Sequence, residues 1–240
     1  MTRPPDSRLT PSQLSLLQIT DFLGSVPLFR GLGRDALQRF AEVTREKRYP
    51  KGSVIVFADD PGDSLFIVRT GRVKVVLLGD DGREVILGVL GMGEPFGELT
   101  LIDDQPRSAH VIAMEDSILL VLRREEFRRI VESSPAVAWA LLAELSRRLR
   151  AADQKIGGLV LLDVPGRIAR VLLDAAPDES TGLVQKRLTH QTIAQMVGAS
   201  RETVSRTLSD FQSSGLISVE RRQIRLTNRP ALIQRSTVRT

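Results

Sequence analysis

The 240-residue chain contains no cysteine. Disulfides, thiolate zinc sites, cysteine-held iron–sulfur clusters and redox-sensing thiols are therefore excluded. Histidine is scarce as well: His110 and His190 stand 80 positions apart, which argues against a metal centre or an iron-ligated haem. Long apolar runs are missing too. The longest nearly apolar stretch, AVAWALLA at 136–143, falls well short of the roughly 20 residues that cross a bilayer. The opening MTRPPDSRLT lacks the apolar core of a secretion signal. These absences predict a cytoplasmic chain without a membrane span, beginning with a disordered tail over residues 1–19.

A hydrophobic share of 42% and a charged share of 26% are those of a soluble globular protein. The length suits one large domain or two ordinary ones. Charge is unevenly spread: residues 1–160 carry 22 basic and 22 acidic side chains, so the net +5 arises entirely in the last third. Within residues 183–240 the balance is 10 basic to 3 acidic. That excess suits a polyanion partner, and equally a basic tail.

Residues 13–43 show helical spacing broken at Gly24, Pro27 and Gly33, as in two short helices. From 45 to 122 short β-branched runs (VIVF, LFIV, VKVVLL, EVILGVL, AHVIA, ILLVL) alternate with turn signals such as PGD, GDDG and DDQP, the pattern of a sandwich or barrel. Beyond Pro135, residues Leu142, Leu145, Leu149, Ala152, Ile156 and Leu159 recur at spacings of three and four. This narrow stripe predicts a parallel dimeric coiled coil, or else a helix lying on its own β domain. Gly157 and Gly158 are expected to interrupt that helix, and LLDVPGRIARVLLDAA to restart one near Pro165.

LTHQTIAQMVGASRETVSRTLSDFQSSGLI contains two helical patterns linked at Gly198. Thr189 and Ser200 are suited to cap them. Ile193, Ala194 and Val197 make one apolar face, and Val204, Leu208 and Phe211 another. Arg201, Glu202, Ser205, Arg206 and Ser209 are left pointing outward. A helical hairpin has the same apolar pattern, but arginines at a capped N-terminus oppose the helix dipole, so a DNA-reading helix-turn-helix is favoured. Arginine pairs with guanine and glutamate with cytosine; Ser200 and Thr203 suit phosphates, and Thr189 is counted with them among the DNA-binding residues. The hairpin at 216–226, with Arg221 and Arg222 at its tip, would be a wing.

The second motif is GEPFGELTLIDDQPRSAHV, 93–111. Gly97 allows close backbone approach, Glu98 offers a carboxylate for a ribose hydroxyl, and Arg107 with Ser108 offers donors for a phosphate; a surface Glu–Arg pair accounts for the same residues. FGEL…RSA resembles the phosphate-binding cassette of cyclic-nucleotide-binding domains. The order of β-roll, long helix, LLDVPGRIA and SRETVSR resembles the cyclic AMP receptor protein family and the wider group of catabolite-activator and fumarate–nitrate-type regulators, over roughly residues 20–228.

That resemblance implies an α+β fold: a cyclic-nucleotide-binding β-roll (20–134), a dimerisation helix (135–160) and a C-terminal winged helix-turn-helix (161–240). It matches Gly97, Glu98, Leu99, Arg107, Ser108 and Ala109 to the ribose-phosphate cassette. Arg201, Glu202 and Arg206 match base-reading positions, and Ser200 and Thr203 match phosphate contacts. Cyclic AMP, with cyclic GMP as alternative, is the implied effector; double-stranded palindromic DNA, a second copy and RNA polymerase are the implied partners. One departure stands out: Ala152 and Asp153 occupy the positions where the family's cyclic AMP sensors place a threonine followed by a serine or asparagine to meet the base. A regulator of the same build acting without that ligand, or with another, is the alternative. A cupin-like barrel enzyme is disfavoured, since the β region holds only His110 and no nucleophile–base pair is readable. No catalytic residue, cofactor or metal is expected.

Overall fold

A computed structural model of the chain describes residues 11–30, 32–176, 180–184, 188–220 and 223–237. Two compact units emerge, one within Met1–Leu77 and Gly88–Arg147, the other within Leu78–Leu87 and Arg148–Thr240.

The first unit opens with helices α1 (Pro11–Ser25) and α2 (Arg34–Val43). The tail expected over 1–19 is thus helical from Pro11 onward. SQLSLLQITDFL carries enough apolar residues to pack: Ile19 and Leu23 are buried with Phe29 and Phe40. Eight strands follow: β1 (Arg45–Tyr49), β2 (Val54–Val56), β3 (Ser64–Thr70), β4 (Val73–Leu78), β5 (Glu84–Leu90), β6 (Pro95–Phe96), β7 (His110–Ala113) and β8 (Ser117–Arg123). They form two four-stranded sheets, ordered β1-β8-β3-β6 and β2-β7-β4-β5. Strand β1 was not legible, because REKRY is charged at four of five positions. It is held as a strand by antiparallel pairing, Arg45 opposite Val121 through Tyr49 opposite Ser117.

Burial of β3 on both faces explains its unbroken apolar run. Phe66 and Val68 turn between the sheets onto Phe96, Val111 and Leu119. Leu65 and Ile67 turn the other way, onto a cluster with Leu101, Phe127 and Ile130. Two short helices complete the layer, α3 (Leu99–Asp103) and α4 (Arg124–Ser133).

Helix α5 runs unbroken from Pro135 to Leu161. The interruption expected at Gly157–Gly158 does not occur: a helical glycine costs only about 1 kcal/mol against alanine, and neither residue takes the positive φ that ends a helix. The chain breaks instead at Leu162–Asp163, where the Asp163 carboxylate caps α6 (Val164–Asp174) by accepting from the Gly166 N–H at 2.8 Å. The α5 stripe packs on its own β domain only at Leu145, beside two residues outside the stripe, and is exposed further on. Val137 and Leu141 are buried in the first unit's core, and Leu145 packs partly against it; Leu142, Leu149, Ile156 and Leu159 are more than half exposed.

In the second unit α6 is followed by α7 (His190–Val197), α8 (Arg201–Ser213), the hairpin β9 (Ile217–Glu220) and β10 (Gln223–Leu226), and α9 (Arg229–Ser236), which the sequence reading did not anticipate. Ile168, Leu172, Ile193, Val204, Phe211 and Leu232 close one core. Gly166 lies against α9, where an added Cβ would sit 2.8 Å from the Arg235 carbonyl oxygen. Gly166→Ala therefore sets about 1 kcal/mol of helix propensity against about 1–3 kcal/mol of overpacking onto backbone. Calorimetric melting is expected to show the second unit's transition lowered; a rise would mean that α9 yields without cost.

Candidate functional site

Strand β6 ends at Phe96, and Gly97 then turns the backbone with φ +83°. That conformation and the crowding favour glycine, since an added Cβ would meet the Arg107 Nη1 at 2.5 Å. Glu98 follows, buried at 3% exposure, and α3 carries the chain to Asp104. Arg107 then enters the core with 7% exposure. Its Nη1 donates to the Gly97 carbonyl at 2.7 Å and its Nη2 to the Ser64 carbonyl at 2.8 Å. The guanidinium carbon lies 5.9 Å from the centre of the Phe66 ring. Its own backbone is pinned by Asp60, whose carbonyl accepts from the Arg107 N–H, and by Asp59, whose N–H donates to the Arg107 carbonyl.

Burial pulls the Arg107 pKa below the ordinary value, while the charges of Asp63 and Glu98 oppose the shift and that of Arg124 adds to it. Two carbonyls thus bond a desolvated cation that also feels the Asp63 and Glu98 carboxylates, and an anion brought to it would be attracted with little screening by water. Of the other cassette residues, Ala109 is buried, while Leu99 and Ser108 are exposed. The whole set 97–109 is gathered in the first unit. Ala152 and Asp153 are exposed on α5, within the second.

The backbone supports of Arg107 escaped the sequence reading. Gly62, Ser64, Asp59 and Asp60 act through carbonyls, amides or lack of a Cβ. At Gly62 a Cβ would lie 2.4 Å from the guanidinium carbon. The PGD turn at 61–63 was the one available signal. His110 accepts the Ala58 N–H at Nδ1, an ordinary structural contact. No cluster of potential metal ligands occurs among the described residues.

In the second unit, Thr189 caps α7 by accepting from the Thr192 N–H at 3.0 Å. Gly198 ends that helix in the left-handed region at φ +65°. Ser200 caps α8, accepting from the Thr203 N–H at 3.1 Å. Arg167 ties the pair to α6, donating from Nε to the Val197 carbonyl at 2.9 Å. With Val204, Leu208 and Phe211 buried against Ile193 and Val197, residues Arg201, Glu202, Arg206 and Ser209 are exposed, and Thr203 and Ser205 half-buried. Glu202 stands beside the Ser200 cap in the first turn of α8. Its own backbone N–H and the Ser200 hydroxyl, helped by nearby Arg201, hold its carboxyl below the usual range. The face therefore stays zwitterionic at neutral pH, with donors for guanine and an acceptor for cytosine side by side. Glu220 stands opposite Gln223 in the hairpin; Arg221 and Arg222 lie outside the described residues.

Comparison with known proteins matches residues 46–134 to the cyclic nucleotide-binding domain and residues 166–235 to the Crp-like helix-turn-helix domain. A "CRP-like cAMP-activated global transcriptional regulator" of Mycobacterium tuberculosis is 32% identical over 221 residues, covering 90% of this chain and 99% of that one. The "Cyclic AMP receptor protein" of Thermus thermophilus is 37% identical over 191 residues, 80% of this chain and 88% of the relative. The solved structure of the c-di-GMP responsive global regulator CLP of Xanthomonas campestris superposes with a TM-score of 0.69 at 29% identity, over 81% of this chain and 99% of that one. The resemblance drawn from FGEL…RSA and SRETVSR is thereby borne out, as are the β-roll, long helix and helix-turn-helix architecture and the absence of an enzymatic role. With both domain types in the order that its relatives share, this chain belongs to the cyclic AMP receptor protein and fumarate–nitrate regulator family of DNA-binding transcription regulators.

Proposed function

We propose that the chain works in the cytoplasm as a homodimer that reads a palindromic DNA site, with RNA polymerase as a further partner, and that a cyclic nucleotide held by Arg107 sets its affinity for DNA. The observation that carries this reading is the buried Arg107 guanidinium, bonded to the Gly97 and Ser64 carbonyls at the end of the cassette that begins with Gly97 and Glu98. A cyclic phosphate would pair with this guanidinium, and the buried Glu98 suits the ribose hydroxyl. Cyclic AMP is the favoured effector because the Mycobacterium and Thermus relatives bear its name.

A second reading rests on the base end. Ala152 offers no hydrogen bond through its side chain, and Asp153 places a carboxylate where sensors of cyclic AMP place a hydroxyl or amide. Another effector class is then favoured, such as the cyclic dinucleotide for which the Xanthomonas regulator is named. Titrating the chain calorimetrically with cyclic AMP, cyclic GMP and cyclic di-GMP separates these readings. Under the first, Arg107→Leu abolishes both nucleotide binding and nucleotide-stimulated DNA binding and leaves the oligomeric state unchanged. DNA affinity that is the same with and without saturating cyclic AMP or cyclic GMP would contradict it.

The dimer is supported by the exposed seam of α5, where Leu149 is 64% and Ile156 60% exposed. Their replacement by aspartate would bury unpaired charge between two such helices. Leu149→Asp with Ile156→Asp is expected to yield monomers in sedimentation, while the β-roll, to which neither residue contributes core, still melts cooperatively. A persisting dimer would place the seam elsewhere.

Two copies of α8 related by a twofold axis would read half-sites about 34 Å apart. Arg201→Ala and Arg206→Ala are each expected to lose roughly 1–3 kcal/mol at a guanine in each half-site. Uniform weakening on all sequences would instead make them phosphate contacts.

A further inference from the structure

Asp104 ends α3 with φ +58° and ψ +16°, one of two non-glycine residues at positive φ among those described; the other is Asp59, which pins the Arg107 backbone. Aspartate tolerates this region better than most residues, but the conformation is still disfavoured and persists where surroundings impose it. Two arginines of α4 impose it here. Arg128 Nη2 donates to both Asp104 carboxylate oxygens at 2.9 Å, and Arg124 Nη1 donates to Oδ1. The Arg128 hydrogen bond, with the charges of both arginines, holds the Asp104 carboxyl below its usual range.

The same arginines reach the supports of Arg107. Arg124 Nη2 donates to the Gly62 carbonyl, and the Arg124 N–H donates to the Asp63 carbonyl at 2.7 Å; the next carbonyl, Ser64, holds the Arg107 guanidinium. Arg128 Nε donates to the Leu101 carbonyl in α3. Between Ile102 and Pro106, Asp104 is the side chain that bonds outside the segment among the described residues; the nearby bond from the Gln105 N–H to Asp103 is local. Glu98 precedes this segment and Arg107 follows it, with the Asp104 turn between them.

We infer that Asp104, clamped by Arg124 and Arg128, is a positioning residue for the nucleotide: it touches no ligand and fixes the span between the ribose and phosphate ends of the cassette. This rests on the reading of Arg107 as the phosphate site. The bland alternative is a surface ion-pair cluster, since Asp104 is largely exposed and such pairs contribute little. It predicts no effect on ligand affinity.

Calorimetric titration of the full chain with cyclic AMP and with cyclic GMP decides between them, using Asp104→Asn, Arg128→Gln and the double variant. Asparagine keeps the shape and the tolerance of positive φ while removing the charge. Each single variant is expected to weaken binding about fivefold with its melting midpoint unchanged, and the double variant to bind no more weakly than either single, as for residues acting through one contact. Should Asp104→Asn fail to fold, the Arg128→Gln comparison carries the test. Wild-type affinity in the single variants, losses that add in the double, or losses that follow a lowered melting midpoint each overturn the positioning role. An unaltered chain that binds neither nucleotide overturns the phosphate-site reading itself, and the clamp's role falls with it.

Discussion

The Arg107 guanidinium, bonded to the carbonyls of Gly97 and Ser64 and almost closed to solvent, is the contact on which the ligand-facing backbone depends. A charge removed from water costs several kcal/mol unless its donors are satisfied and compensating charge stands near. The chain meets part of that requirement with main-chain oxygens and makes room by omitting Cβ atoms at Gly62 and Gly97, where each would lie within about 2.5 Å of the guanidinium. Both aspartates at positive φ flank this arrangement. Asp63 and Glu98 add negative charge nearby, and on the reading proposed above a phosphate ester would add more directly at the guanidinium.

In the second unit the governing constraint is the N-terminus of α8. Arg201 stands in its first turn, where the helix dipole disfavours positive charge by up to about 1 kcal/mol. The Ser200 cap and the Glu202 carboxylate offset this locally, and the guanidinium groups of Arg201 and Arg206 remain exposed. Excess positive charge over 183–240 supplies an attraction to phosphates that weakens with salt. Contacts to phosphates read no bases, so on the reading proposed above the exposed face of α8 carries the direct discrimination between sequences.

How much the sequence revealed followed from which atoms do the work. The helix-turn-helix was legible in detail because its signals are side chains at fixed spacing: cap oxygens at Thr189 and Ser200, a left-handed Gly198, and apolar residues at Val204, Leu208 and Phe211. The core β strands were legible as β-branched runs, whereas β1 was not, since REKRY becomes a strand through pairing with β8 and lacks any pattern of its own. The double glycine in α5 misled because glycine only weakens a helix, and Asp163 two residues beyond its end sets the real break. At the ligand site, Arg107 and Glu98 could be named from the motif. Gly62, Ser64 and the α4 arginines could not, because they act through main-chain atoms or across 20 or more positions of sequence.

The central claim is that ligand and DNA are coupled through one molecule, and coupling of this kind is reciprocal: the factor by which nucleotide tightens DNA binding must equal that by which DNA tightens nucleotide binding. The direct measurement is cyclic AMP affinity of the full chain with and without a saturating palindromic duplex. The account predicts tighter binding in the presence of DNA, on the order of five- to 150-fold, matching the gain in DNA affinity at saturating nucleotide. Equal nucleotide affinity with and without the duplex would contradict it.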